Sequence, residues 1–298
     1  MTLEQLRIFV AVAEREHMTR AAEVLNITQS AASNAIAALE ARHDVKLFHR
    51  VGRRIELTDA GRMFLHEARN VLALASSAEL ALSEYGGLKR GHLRLVASQT
   101  IASYWLPQRL AAFQQRHPLI ELAVTLDNTE GAARRVHDGE AELGFIEGSI
   151  DDPSLAQWTV GTDSLVLIGM NPAEAVTNDW LKAAPWVMRE RGSGTRSFFE
   201  AVIRARGIDP HELREVMTLP SNEAVVTAVQ AGVGYAALSH LVVRCAIKAR
   251  TLSALPFAGA ERPFFGLRQK ERYRSKGADA LLEVIRHFDA EVEDINQS

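Results

Sequence analysis

Met18–Leu47 reads MTRAAEVLNITQSAASNAIAALEARHDVKL, and the front of the chain is organised around it. Ala21, Ala22 and Leu25 make the apolar side of a short helix. Asn26 closes that helix, because asparagine tolerates the left-handed backbone of a helix end. Ile27 plugs the turn, and Thr28 is placed to cap a second helix through its hydroxyl. In that helix Ala32, Ala35, Ile36 and Leu39 fall three or four apart and form a buried stripe. Thr28, Gln29, Ser30, Ser33 and Asn34 are left at its N-terminal end. Short donor and acceptor side chains at the tip of the second of two close helices suit entry into the DNA major groove. An ordinary helical hairpin would explain the helices equally well, and the next segment separates the two readings.

From Arg42 to Arg54 the basic residues are Arg42, Lys46, Arg50, Arg53 and Arg54, against the acid Asp44. KLFHRVGRRIELT (46–58) reads as two short strands around Gly52. Such a wing lays Lys46, Arg50, Arg53 and Arg54 along a phosphate backbone. A groove-reading helix beside a basic wing is a winged helix–turn–helix.

LEQLRIFVAVAE, TRAAEVLNITQSAASNAIAALE, LFHR and LTDAGRMFLHEA occur in the order and spacing of the LysR-type transcriptional regulators, which the first ~90 residues resemble. Asn34 and Ala35 depart from the family, where an arginine and a long polar residue are usual, so base contacts do not transfer from a relative. The resemblance implies a dimerising linker helix, a periplasmic-binding-protein-like effector domain and a tetramer of paired dimers.

A chain of 298 residues accommodates more than one core, and 47% apolar with 24% charged residues is ordinary globular composition. The net charge of −3 suits a DNA binder only if basicity is local, as it is in the wing. A single cysteine, Cys245, leaves no internal disulfide and reads as a buried structural thiol in a reducing cytoplasm. The histidines are scattered without metal-ligand spacing. No leader and no membrane-length apolar run is legible, so the expectation is a cytoplasmic protein without a cofactor.

Before the central stretch, 2–15 reads as a helix with Leu3, Leu6, Phe9, Val10 and Ala13 on one face. After the wing, Thr58 caps a long helix whose apolar residues, Phe64 to Leu82, keep a helical period over about seven turns. Its stripe pairs with the same helix of a second chain. Gly86 and Gly87 end it, and 89–92 is a hinge. The expected domains are 1–58 (DNA binding), 59–91 (linker helix and hinge) and 92–298 (effector binding).

From Leu93 short apolar runs alternate with helical patterns, which indicates α/β architecture with a parallel sheet. The whole chain is thus expected to be an all-α winged helix–turn–helix with a long linker helix, followed by a two-lobed α/β effector domain. The resemblance implies a first lobe over 92–162 and 266–298 and a second over 163–265.

RERGSGTR (189–196) lies between a strand and a helix. Its glycines let successive amides converge, Ser193 and Thr195 add hydroxyls and Arg196 adds a charged fork, a set suited to an oxyanion. Capping of the helix and pairing of Arg196 with a neighbouring acid is the plainer alternative. Other polar strand ends are Ser98, Gln99 and Thr100, then Asn128 and Thr129, Glu147, and Ser221 with Asn222, the last pair equally well explained as a helix cap. Glu147 sits awkwardly with an anionic ligand.

The reading is a sequence-specific DNA-binding regulator, a homodimer or homotetramer on double-stranded DNA, modulated by a small anionic effector between the lobes. An enzyme carrying a DNA-binding head is the alternative. The sequence offers no GxSxG, HExxH, Walker or clustered-carboxylate pattern to support it.

Overall fold

A computed structural model of the chain describes residues 1–51, 54–85, 91–171, 175–255, 257 and 261–297. It separates into two compact units, Met1–Gly86 and Gly87–Ser298.

In the first unit Thr2 caps α1 (Leu3–Arg15) through a reciprocal bond with Gln5. Leu6, Phe9 and Val12 are buried, whereas Leu3, expected on that face, is exposed. After α2 (Met18–Val24), Asn26 takes the left-handed conformation (φ 54°) its position demanded. The Thr28 Oγ1 accepts from the Ala31 amide at 3.1 Å and opens α3 (Gln29–His43). Ala32, Ile36 and Leu39 are buried and Ala35 half-buried. Strands β1 (Phe48–Val51) and β2 (Arg54–Leu57) pair antiparallel as the wing, and α4 (Asp59–Tyr85) follows. Phe9 anchors the core, with ring centroids 4.8 Å from Phe64 of α4 and 5.6 Å from Phe48 of the wing. Gly61 is required where α4 leaves the wing, since a Cβ there would stand 2.2 Å from the Leu47 carbonyl oxygen. The expected helix end at Gly86–Gly87 and most of the 89–92 hinge lie outside the described residues.

The second unit opens with β3 (Gly91–Ser98). A π-helical turn (Ile101–Trp105) leads into α5 (Leu106–Arg116), β4 (Ile120–Asp127), α6 (Thr129–His137) and β5 (Leu143–Glu147). The 15-residue β6 (Leu155–Gly169) comes next. Then follow α7 (Asn178–Ala183), β7 (Pro185–Arg189), α8 (Gly194–Ala205), a 3-10 turn (Pro210–Glu212), β8 (Arg214–Leu219) and α9 (Asn222–Gln230). β9 (Ala236–Ser239), α10 (His240–Lys248), β10 (Ser253–Leu255), β11 (Glu261–Gln269) and α11 (Lys276–Gln297) complete it.

The sheet is mixed, which corrects the parallel expectation. β3 pairs parallel with β4 and β5, and β7 with β8, but β6 and β11 run antiparallel to each other and to their neighbours. Apolar runs alone do not carry strand direction, and α7 and β10 were too short to be legible. β6 is the spine of both lobes. Through Ser164 it pairs with β11, and from Leu165 onward with β9 and β10. Lobe I packs Leu93, Leu95, Trp105, Phe113, Phe145 and Phe264 into its core, and lobe II packs Leu167, Trp186, Phe199 and Ile203. Cys245 is exposed on α10, not buried, because the buried stripe of that helix passes through Val243.

Candidate functional sites: a groove-reading helix and a buried polar cluster

On α3, Gln29, Ser30 and Asn34 are exposed and Ser33 is half-buried. Ser30 is tied to Thr28 by a 3.0 Å hydroxyl contact, so both stand fixed at the helix tip. Arg50 and Arg54 are exposed on paired wing strands, in register with Ile55 and Val51. Arg53 lies outside the described residues. Lys46 is exposed, but its ammonium lies 2.6 Å from Glu40, which makes it a weaker phosphate ligand than the wing arginines. Sequence reading missed Glu40. Its carboxylate accepts from the Leu47 and Phe48 amides at 2.9 and 3.3 Å and so joins the end of α3 to the wing. Burial pushes this carboxyl up, and Lys46 with the two amides more than offsets that, holding it below its ordinary value.

In the second unit the strand ends converge on Arg262, whose side chain is fully buried. Its Nε and Nη2 donate to Asp163 Oδ2 at 2.9 and 2.7 Å, and Nη1 donates to Thr195 Oγ1 at 3.2 Å. Glu147 stands off at 3.7 Å, and the Ser239 hydroxyl donates to Asp163 at 3.0 Å. Thr129 donates to the Glu147 carbonyl at 3.0 Å. Beside this lies a second set of bonds. The Asn222 amide nitrogen donates to Thr100 Oγ1 at 3.1 Å, while its carbonyl oxygen accepts from Arg189. The Asn222 backbone amide donates to Gln99 at 2.7 Å, and Gln99 and Tyr104 donate to Glu223 at 2.6 and 3.1 Å. Burial and the Glu223 charge push the Tyr104 hydroxyl up, so it remains a donor.

Residues of lobe I (Gln99, Thr100, Tyr104) are therefore bonded directly to residues of lobe II (Asn222, Glu223). Within this polar layer the hydroxyl of Ser98, a residue 1% exposed, has no hydrogen-bond partner. A buried donor left unpaired costs about 1–3 kcal/mol, and such an atom marks a place where a ligand atom is expected.

Residues 3–62 match the model described as bacterial regulatory helix-turn-helix protein, lysR family, and residues 86–290 that of the LysR substrate binding domain. The chain belongs to the LysR family. It is a DNA-binding transcriptional regulator with an effector-binding domain. Among curated relatives it is 31% identical to a "Probable RuBisCO transcriptional regulator" of Trieres chinensis over 95% of this chain and 96% of that protein. It is 30% identical to the "Uncharacterized HTH-type transcriptional regulator YeiE" of Escherichia coli, again over 95% and 96%. Among solved structures, that of CbnR, described as a LysR family transcriptional regulator, superposes with a TM-score of 0.70 at 22% identity, covering 96% of this chain and 99% of CbnR. A full-length OxyR from Pseudomonas aeruginosa gives a TM-score of 0.70 at 20% identity, covering 96% and 95%. Both show the same fold.

For this LysR-family chain the remaining sequence expectations divide. Ser98, Thr100, Thr129, Glu147, Thr195 and Asn222 are buried in or beside the polar layer, and Gln99 bonds across it. Asn128 and Ser221 are spent as caps, accepting from the Gly131 and Ala224 amides at 2.8 and 3.1 Å. Arg196 is not aimed at the layer. It pairs with Glu200 at 2.8 Å and Glu215 at 2.9 Å, the plainer of its two readings. Burial works against the Arg196 charge, and Glu215 and Glu200 more than restore it. Ser193 opens onto an outer groove of lobe II. Arg262, Asp163, Arg189, Ser239 and Glu223 were missed. Arg262 had one usable signal: extending the strand pattern FFGLR back by two residues puts Arg262 on the same face as the core residue Phe264.

Proposed function

We propose that α3 enters the major groove of duplex DNA, with Gln29, Ser30, Ser33 and Asn34 at base edges and Arg50, Arg53 and Arg54 on phosphates, while a small polar effector binds between the lobes. The observation that carries the effector reading is the unpaired Ser98 hydroxyl within a layer of hydrogen bonds that joins the lobes. A ligand there gains a bond to Ser98 and exchanges bonds with Thr100 and Asn222. It shifts the lobes only by its different affinity for their open and closed arrangements.

The charge inventory argues against a strongly anionic ligand at this place. Arg262 and Arg189 face Asp163, Glu147 and Glu190, so the layer has no spare positive charge. The effector of this site is a neutral or cationic hydrogen-bonding molecule. Two chains pair through the apolar stripe of α4.

A thermal-shift screen of small polar metabolites on the full chain tests the effector site, because a ligand bound by the native state raises its stability. A hit that binds Ser98→Ala as tightly as the parent would remove the ligand from this layer. Since Ser98 has no partner to lose, Ser98→Ala without ligand should be at least as stable as the parent.

A further inference from the structure

A groove of about 570 Å³ runs along the outer stripe of α8, walled on the other side by the segment that enters β8. None of Ser98, Thr100, Thr195, Asn222 or Arg262 lines it, so it is separate from the polar layer between the lobes. In the middle of the groove Arg196 is paired with Glu200 and Glu215, and Arg204 with Glu200, so these charges are matched.

The N-terminal end of α8 is different. The helix is 12 residues long, and no side chain caps its first amides, which leaves the positive end of its dipole open. Ser193, at the cap position, is 3% exposed and lines the groove, yet its hydroxyl makes no hydrogen bond among the described residues. A serine at this position ordinarily accepts from an amide two or three residues on. Here that hydroxyl is buried, unspent and beside unspent amides. Arg191 lines the same end, exposed and without an ion-pair partner among the described residues. Glu130 is the acid at this end. It selects against a ligand charged over its whole surface and in favour of one whose charge is gathered in a single group beside Arg191.

We propose that this end of the groove is a second ligand site, which holds a small oxyanion of the phosphate or sulfate class on the Ser193 hydroxyl, the first-turn amides of α8 and the Arg191 guanidinium. The same chemistry serves a free inorganic ion and the anionic group of an organic ester. The site extends the functional reading above and does not depend on it, because the two use different residues.

Isothermal titration of the full-length chain at fixed ionic strength, with chloride as the balancing ion, tests it. Inorganic phosphate, inorganic sulfate and glycerol phosphate are the probes. The expected result is saturable binding of one anion per chain, weakened about tenfold or more by Ser193→Ala and likewise by Arg191→Gln, each removing a charge-assisted hydrogen bond. Ser98→Ala should leave it unchanged. Tighter binding of glycerol phosphate assigns the site to an ester, and tighter binding of an inorganic probe to the free ion. No saturable binding, or binding undiminished in either Ser193→Ala or Arg191→Gln, overturns the site. Loss of binding in Ser98→Ala also overturns it, by placing the anion between the lobes. Thermal unfolding in chloride confirms that each variant is folded.

Discussion

Arg262 shows how much rests on one side chain. It is the buried counter-charge for Asp163 and stands 3.7 Å from Glu147. Removing one partner of a buried ion pair costs about 3–5 kcal/mol, because the remaining charge is left uncompensated. Arg262→Ala should therefore lower the stability of the second unit by that order in urea unfolding, with the loss shrinking as acid neutralises the stranded carboxylates. A change under ~1 kcal/mol at neutral pH would show that water already reaches the pair. Glu40 makes the matching case in the first unit. Its folded pKa lies below its unfolded value near ~4.3, so its contribution is complete above the unfolded value and lost as pH falls through the folded one. Hydrogen exchange at the Leu47 and Phe48 amides reads this directly. Glu40→Gln should speed their exchange at neutral pH and narrow the difference from the parent in acid, whereas equal protection at neutral pH would show that the wing does not depend on this carboxylate.

Among the elements, α4 raises a question of association. Its described exposed apolar residues include Met63 (67% exposed), Val71, Leu74 and Leu82 (78%). At 100° per residue these four fall within about a third of a turn, a continuous stripe along the helix. A stripe of this kind over 27 residues is suited to the same helix of a second chain. Leu74→Glu with Leu82→Glu should convert the protein to monomer in sedimentation velocity and weaken operator binding, because paired half-sites are then no longer held together. If the double variant sediments like the parent, another surface holds the chains together.

For the whole molecule, the sequence carried the organisation because its signals were local. The left-handed Asn26, the Thr28 cap, the paired wing and the long helix after Thr58 each depend on a few neighbouring residues, and each formed as read. Placement of the effector-domain residues was legible to the level of strand ends. What the chain did not disclose depends on register and direction. Arg262 meets Asp163 only because β6 and β11 pair antiparallel, and Arg196 turns outward only because Glu200 and Glu215 flank it. Cys245 looked buried by its neighbours and is exposed by the phase of α10. Couplings between an effector site and a DNA site are of the order of 1–3 kcal/mol, within reach of a few exchanged hydrogen bonds in the layer around Asn222.

The central claim is that α3 and its wing read duplex DNA. It is tested most directly by the salt dependence of full-length binding to a duplex enriched from a random pool, measured beside a scrambled duplex. The account predicts a clear preference for the enriched sequence. It also predicts that Arg50→Ala with Arg54→Ala weakens both duplexes and flattens the log–log salt slope by about 2, near 0.9 for each lost phosphate contact, while Ser33→Ala mainly reduces the preference. Equal affinity for the two duplexes, or a slope unchanged in the double arginine variant, would contradict it.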